Sequence, residues 1–227
     1  MGIRSQEQVA LLTDYDVGST YSQAYHTLYA NICFHWNSTQ SKEQHTLLLS
    51  TPSTYAGQAT IATNVAITAA QSGTPTILVD ADLRTPTMEQ RFGLEKSDGL
   101  SDLLLEGPIT AEKIEQYLRN TFIPGLRLLS AGTATEGAAT LLLSAKLQDV
   151  LRNICQYRGE TESEPGIVIF NSPAVLAGPD ASLIGALVEQ TILIIAKGRT
   201  TRTQAKRAQE QLLRAHANLA GIVLLEV

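Results

Sequence analysis

The chain has 227 residues, of which 44% are hydrophobic and 17% charged, and its formal net charge is −5. This length and apolar content suit one complete globular domain and argue against disordered, collagen-like and low-complexity classes. The acidic balance also argues against a general nucleic-acid-binding protein, which needs a surplus of basic residues.

The order of hydrophobic patterns along the chain predicts a succession of helices and strands. We interpret residues 1–20 as a tail or lead-in and residues 21–227 as a single domain. Ala24, Leu28 and Ile32 have helical spacing, which predicts a helix over 21–33. Short apolar runs predict strands at 46–50, 76–80, 126–130, 166–171, 191–197 and 221–225. Helical patterns cover 57–72, 100–105, 111–118, 138–157, 180–189 and 201–216.

The character of the predicted strands indicates the fold class. Several runs are apolar almost throughout instead of alternating, which is typical of parallel strands buried on both faces. The alternation of strands and helices predicts an α/β fold with a doubly wound, mostly parallel sheet and helices on both faces. Ligands bind beyond the carboxyl ends of the strands in such sheets, so the residues that follow each strand deserve examination.

The loop after the first predicted strand has the position and length of a phosphate-binding P-loop. That motif, GxxxxGK[ST], needs glycines for close backbone approach, a lysine for phosphate and a hydroxyl for Mg²⁺. Here Gly57 keeps the last glycine, Gln58 stands at the lysine position and Ala59 at the hydroxyl position. Thr60 offers a hydroxyl one place later, and Pro52 replaces the first glycine. By pattern alone, this loop is a plain strand-to-helix turn.

Two further strand ends carry polar residues. Asp80 ends the second predicted strand, and Asp82 and Arg84 follow it. These three groups could hold a hydrated metal or accept a hydroxyl proton, or they could serve as caps and turn formers, and the residues leave both readings open. Asn171 ends the fourth predicted strand, where a nucleotide hydrolase has an aspartate for Mg²⁺.

Taken together, these places resemble the cytoplasmic kinase domain of bacterial tyrosine kinases (BY-kinases), in the MinD/ParA-like branch of P-loop proteins. Residues 80–86 match the family's second acidic motif without a change. Further fragments follow in the family's order within 24–32 and at 64–66, 71–73, 91–94, 99–104, 123–126, 131–132, 172–176 and 180–181. The resemblance spans residues 21–225 and implies a P-loop NTPase-like fold.

The resemblance also shows where this chain departs from the family. The family has a P-loop lysine, a Mg²⁺-binding hydroxyl, an aspartate in the third acidic motif and an adenine-contacting asparagine after the last strand. The corresponding residues here are Gln58, Ala59, Asn171 and Leu225. The lead helix of the family carries an ExxRxxR pattern implicated in ring assembly, and here its three charged places read Gln23, His26 and Tyr29.

These departures predict a catalytically impaired domain, a pseudokinase in which Asp80, Asp82 and Arg84 are an inactive vestige. Loss of the lysine and both metal-side groups would remove on the order of 5 kcal/mol from nucleotide–metal binding if the terms were additive. We therefore expect no cofactor, with at most weak binding of ATP or ADP. We also expect poor Mg²⁺ binding and no metal ligands.

The expected role is protein interaction or regulation in exopolysaccharide or capsule synthesis and export, because the family acts with that machinery. The expected partners are a membrane polysaccharide co-polymerase or export protein, or another kinase-like subunit, and no nucleic acid. Loss of the ExxRxxR charges predicts a monomer or dimer and no family-type ring. The expected location is cytoplasmic, at the inner face of the membrane through a partner or a lost membrane-spanning half.

Two alternative functions stay open at this stage. One is an active ATP-dependent protein-tyrosine kinase with displaced ligands, in which Thr60 binds the metal and Asp80 carries the ion with Asp82. The other is a MinD/ParA-like positioning or pilus-assembly ATPase homologue, against which the fragments at 91–94 and 99–104 argue. In the pseudokinase reading, the ring of Tyr55 in the degenerate loop either fills part of the vacant phosphate cradle or is simply exposed.

Overall fold

A seven-stranded sheet forms the centre of the computed structural model, which describes residues 11–34, 36, 44–55, 57–106, 108–133, 138–157 and 166–226. The strands are β1 His45–Ser50, β2 Thr76–Asp80, β3 Leu118–Asn120, β4 Leu126–Leu129, β5 Ile167–Asn171, β6 Gln190–Ala196 and β7 Leu219–Leu225. Their order is β3-β4-β2-β5-β1-β6-β7, and every pairing is parallel except β3 with β4. The predicted mostly parallel α/β sheet is confirmed.

Helices cover both faces of this sheet. They are α1 Thr20–Phe34, α2 Gln58–Gln71, α3 Met88–Arg91, α4 Leu100–Leu105, α5 Ala111–Tyr117, α6 Ala138–Leu142, α7 Ala145–Gln156, α8 Asp180–Gly185 and α9 Arg202–Arg214. One apolar core joins α1 and α2 to the sheet, and a second joins α4, α5, α7 and α8 to the opposite face. No helix within the described residues is long and apolar enough to cross a membrane.

Strand β1 shows why the predicted strands are apolar throughout. Leu47 and Leu49 point into the core beneath α1 and α2, whereas Leu48 points into the core on the other face. All three side chains are fully buried. Because successive side chains of a strand alternate between faces, a central strand covered on both sides needs apolar residues at every position.

Three features of the fold differ from the sequence prediction. The short antiparallel edge strand β3 and the four-residue helix α3 were not predicted, since neither is long enough to show a periodic pattern. The predicted helix 138–157 is divided into α6 and α7, because the backbone of Ser144 is extended (φ −68°, ψ 148°) and its hydroxyl donates to the Leu141 carbonyl.

The predicted lead-in contacts the domain in the part that the structure describes. Leu12 is buried in the core beneath α2, and its N–H donates to Asn64 Oδ1 at 2.9 Å. Residues 1–10 of that lead-in lie outside the described residues, so the division into a tail and a single domain stays a prediction.

Candidate functional site

Strand register brings the three polar strand ends to one edge of the sheet. Asp80 on β2 pairs with Asn171 on β5, and Asn171 pairs in turn with Leu49 on β1, two residues before the degenerate loop. Beyond these ends lies a crevice with a volume of about 380 Å³. Its lining includes Tyr55, Gln58, Ala59, Asp82, Arg84, Arg91 and Asn171. The crevice is therefore large enough for a small ligand and lies where ligands bind in this fold class.

Gln58, the residue at the lysine position, has both of its side-chain polar atoms bound within the protein. Thr51 donates its hydroxyl to Gln58 Oε1, and Gln58 Nε2 donates to the backbone carbonyl of Ser172. Only 8% of the residue is exposed. The amide therefore links the end of β1 to the end of β5 and brings no positive charge to the crevice.

The ring of Tyr55 lies over Gly57 at the start of α2. A Cβ atom at position 57 would overlap this ring, so the close approach requires glycine. The guanidinium of Arg199 lies 5.7 Å from the ring centroid, within the range of a cation–π interaction. Tyr55 is half-buried and lines the crevice, as the hypothesis that its ring fills part of the phosphate cradle requires.

Asp80 is almost fully buried (1% exposed) and accepts several hydrogen bonds. The N–H groups of Asp82, Thr87 and Met88 each donate to it at 3.2 Å, and Asn171 Nδ2 donates at 3.1 Å. Burial disfavours the charged form and raises the pKa of Asp80 to about 6, although the hydrogen bond from Asn171 opposes this shift. Asp80 therefore performs the turn chemistry proposed for it, and its carboxyl group is bonded to Asn171, which lines the crevice.

Asp82 and Arg84 lie beside the crevice, but Arg84 does not pair with the two carboxylates that precede it. Asp82 accepts the N–H groups of Arg84 and Thr85 at 3.3 and 3.0 Å, which stabilises the turn. The Nε of Arg84 donates to Oδ2 of the buried Asp180 at 3.0 Å. The predicted convergence of three charges is therefore incomplete, because Asp180 binds the cation.

Two predicted site residues have other surroundings. Leu225 is not among the residues that line the crevice. It packs against the core beneath α1 and α2, and its carbonyl accepts the N–H of Lys197. Thr60 is fully buried, and its hydroxyl accepts a hydrogen bond from Arg91. Within the described residues there is no group of three or more His, Cys, Asp or Glu side chains that could hold a metal ion by themselves.

Arg91 is a crevice residue that the sequence analysis did not identify. Its Nη1 donates to Thr60 Oγ1 at 2.6 Å, and its buried Nε has no hydrogen-bond partner among the described residues. Burial lowers the pKa of Arg91, and the nearby Asp80 partly opposes that shift. The available signal was an arginine seven places after Arg84. The four-residue helix that positions it shows no pattern, so the sequence did not place its side chain beside the loop.

Comparison with known proteins identifies the relatives of this chain. Tyrosine-protein kinase YwqD of Bacillus subtilis (strain 168) is 29% identical over 223 residues, which cover 98% of this chain and 87% of that protein. This chain is a relative of the bacterial tyrosine-protein kinases. The putative tyrosine-protein kinase CapB of Staphylococcus aureus is 25% identical, with 91% of this chain and 84% of that protein covered. No family model matches the sequence.

A solved structure and a further curated protein support the same resemblance to BY-kinases. The BceF tyrosine kinase domain has a TM-score of 0.77 and 25% identity, with 94% of this chain and 81% of that chain covered. A third relative, a putative tyrosine-protein kinase in the cps region of Klebsiella pneumoniae, is 28% identical, with 78% of this chain and 23% of that protein covered. The resemblance inferred from the ordered sequence fragments is therefore confirmed.

More distant structures share the fold alone. MinD from Pyrococcus horikoshii, complexed with Mg-ADP, has a TM-score of 0.62 and 17% identity, with 80% of this chain and 70% of that chain covered. Cobyrinic acid a,c-diamide synthase from Mycobacterium smegmatis, with a bound ATP analogue and magnesium, has a TM-score of 0.60 and 19% identity, with 81% and 74% covered.

The expectation of no cofactor, at most weak ATP or ADP binding and poor Mg²⁺ binding is therefore wrong, because proteins of this fold bind Mg-ADP and an ATP analogue with magnesium. That expectation considered only the three positions, Gln58, Ala59 and Asn171, where the side chain differs from that of the family. It gave too little weight to the backbone N–H groups at the start of α2, which can bind phosphate whatever the side chain. It also omitted the cation of Arg91.

The residues of the crevice fit a nucleotide with a divalent cation. Arg91 Nε is a buried donor and Asn171 Oδ1 a buried acceptor, and neither has a partner among the described residues. Phosphate oxygens can accept from the first, and a water bound to a metal can donate to the second. Asp82, which lines the crevice, supplies carboxylate oxygens, the ligand type that Mg²⁺ prefers.

Proposed function

We propose that this chain is a kinase-like domain of a machinery that makes and exports exopolysaccharide or capsule. In this proposal it binds a magnesium nucleotide in the crevice and transfers phosphate to tyrosine far more slowly than a relative with the P-loop lysine. The observation that carries the proposal is the Gln58 side chain, which is uncharged and bound to Thr51 and Ser172.

Binding and transfer depend on different groups, which is why one can persist while the other weakens. Phosphoryl transfer relies on positive groups aimed at the charge that develops in the transition state. Gln58 and Ala59 supply neither a cation nor a metal-binding hydroxyl, and Asn171 lacks a negative charge for the ion. Binding of the nucleotide in the ground state depends on backbone donors, on contacts with the purine and on Arg91. The same substitutions therefore weaken nucleotide binding less than they slow phosphate transfer.

The link with polysaccharide rests on the resemblance to BY-kinases and on the relative from a cps region. The proposed partners are a membrane polysaccharide co-polymerase or export protein, or another kinase-like subunit. Such a partner would bring the domain to the inner face of the membrane. Nucleotide occupancy would then govern contacts with the partner, with little dependence on phosphate transfer.

Two measurements on the full chain test this proposal. Isothermal calorimetry with ATP and Mg²⁺ should detect binding, and a radiolabel assay should detect little transfer to a tyrosine substrate. The variant Gln58→Lys/Ala59→Ser/Asn171→Asp should transfer phosphate at least about 100-fold faster, the scale of one lost electrostatic group. The control is Gln71→Lys, which adds the same charge at the exposed far end of α2.

The second candidate function, an active tyrosine kinase with displaced ligands, is favoured by the unchanged 80–86 motif and by the cation of Arg91 in the crevice. It predicts substantial transfer by the natural chain that is lost in Asp80→Asn. Transfer by the natural chain at the rate of the triple variant would support this candidate and contradict impairment.

A further inference from the structure

Arg91 combines partial burial and charge, and the nearby Asp80 does not form an ion pair with it. Arg91 lies on α3 and lines the crevice together with Ala59 and Asn171. One of its five N–H donors binds Thr60, and the others have no protein partner among the described residues. No carboxylate within the described part of the chain forms an ion pair with it.

The other cation that lines the crevice differs in this respect. Arg84 donates to the buried carboxylate of Asp180, so its charge is compensated within the protein. A half-buried guanidinium without a compensating anion is costly, because burial removes water that would otherwise solvate the charge. An anion that enters the crevice would remove this cost at Arg91 and would gain charge-assisted hydrogen bonds.

The position of Arg91 relative to α2 indicates which anion fits. Thr60 belongs to the first turn of α2, the helix whose N-terminal N–H groups point toward the end of β1. The N-terminus of a helix as long as α2 attracts phosphate, because its N–H groups and the helix dipole favour an anion. Arg91 is bonded to Thr60 in the first turn of this helix. The planar guanidinium has the geometry for bidentate contact with phosphate oxygens.

We propose that Arg91 is the cation that binds the phosphates of the nucleotide in this crevice, in place of the lysine that Gln58 has replaced. The inference rests on the proposed function, since it assumes that a nucleotide binds there. Arg91 would reach the phosphates from α3, whereas a P-loop lysine starts from α2 itself.

The test compares ligands with and without phosphate. Isothermal calorimetry measures the Kd of ATP, ADP and adenosine for the natural chain, Arg91→Gln and Arg91→Lys. The glutamine keeps a donor for Thr60 but removes the charge. We expect ATP and ADP to bind Arg91→Gln about 10- to 100-fold more weakly, the effect of losing hydrogen bonds to a charged group. Adenosine should bind equally well, and Arg91→Lys should lie between.

Two further arms keep the test independent of folding defects. In Gln58→Lys/Arg91→Gln, a lysine in the P-loop should recover much of the lost ATP affinity. In the natural chain, ATP should protect Arg91 from modification by phenylglyoxal, measured by mass spectrometry. The exposed Arg152 on α7, which pairs with Asp149, should not be protected, and Arg152→Gln should bind ATP normally.

The possible results distinguish failure of the role of Arg91 from failure of the proposed nucleotide binding. If the natural chain binds ATP and folded Arg91→Gln binds it within about twofold, or if ATP leaves Arg91 unprotected, this inference is wrong and the proposed nucleotide binding stands. If the natural chain does not bind ATP at all, both the proposed nucleotide binding and the role of Arg91 are overturned.

Discussion

Arg84 and Asp180 form an ion pair across the edge of the crevice, with Arg84 Nε 3.0 Å from Asp180 Oδ2. The two partners are unequal, because the arginine side chain is 44% exposed and the aspartate side chain 1% exposed. The pair therefore compensates a charge that is buried at the first turn of α8. It fixes the loop after β2 against the loop before α8, and both loops contribute to the crevice.

Removal of Arg84 alone should lower the free energy of unfolding more than removal of both charges. Arg84→Ala leaves the carboxylate of Asp180 buried without a cation, which we expect to lower the free energy of unfolding by about 2–3 kcal/mol. Arg84→Ala/Asp180→Asn should lose less than Arg84→Ala. Urea unfolding monitored by circular dichroism measures these differences. The exposed control Arg152→Ala should change stability by no more than about 0.5 kcal/mol. Equal losses in the single and double variants would contradict the argument.

Burial of Asp80 predicts a pH dependence of stability. The folded-state pKa of about 6 lies above the ordinary value of 3.8, so between these values the folded chain binds more protons than the unfolded chain. Stability from this residue is therefore present below about pH 4 and is lost as the pH rises through 6. The difference in unfolding free energy between the natural chain and Asp80→Asn should fall by on the order of 2–3 kcal/mol from pH 4 to pH 7.

The pH experiment has an internal comparison. Urea unfolding is measured at several pH values with a chelator present, so that no divalent cation binds Asp80. Asp149→Asn is the matched control, since its carboxylate is about half exposed on α7 and keeps contact with water. A stability difference for Asp80→Asn that stays constant from pH 4 to pH 7 would show that burial does not govern this carboxyl group.

The sequence predicted those parts of the molecule that depend on local hydrophobic pattern. Leu47, Leu48 and Leu49 form an apolar run because both faces of β1 are covered, and such a run is visible without a structure. The parallel arrangement then places the ends of β1, β2 and β5 side by side. For that reason, the sequence could bring Gln58, Asp80 and Asn171 to one edge.

Side-chain partners within the crevice were not predictable in the same way. Arg84 and Asp180 are 96 residues apart, and Gln58 and Ser172 are 114 apart. Hydrophobic periodicity in the sequence does not predict which distant residue a polar side chain will bond to. Arg91 was missed for a related reason, because its position beside Thr60 depends on the short α3 and on the path of the loop after β2.

Asn171→Asp should make stability depend on magnesium. The substitution replaces the hydrogen bond from Asn171 Nδ2 to Asp80 Oδ1, 3.1 Å long, by a contact between two carboxyl groups. We expect a loss of about 2 kcal/mol at pH 7 without metal, or a Tm about 4–8 °C lower. Millimolar Mg²⁺ should recover more of the Tm in this variant than in the natural chain, because paired carboxylates bind the ion.

Differential scanning calorimetry with and without MgCl₂ measures this effect. Asn120→Asp provides the control, because it makes the same chemical change at an exposed position at the end of β3. Its Tm should change little and should not depend on magnesium. If Asn171→Asp responds to magnesium no more than Asn120→Asp does, the two strand-end residues do not form a metal-binding pair.

The first helix predicts a small oligomeric state. Of the three positions where the family has charges, Gln23 is exposed, His26 is half-buried and Tyr29 is buried. Tyr29 Oη donates to Thr74 Oγ1 at 2.7 Å, so this side chain is bound within the protein and does not reach a neighbouring subunit. Light scattering should therefore give the mass of one or two 24.5 kDa chains at both low and high salt. Gln23→Glu/His26→Arg restores two of the charges and should still form no ring, since the third position stays buried. An octamer from the natural chain would refute this prediction, and an octamer from the double variant alone would show that charges at positions 23 and 26 suffice for assembly.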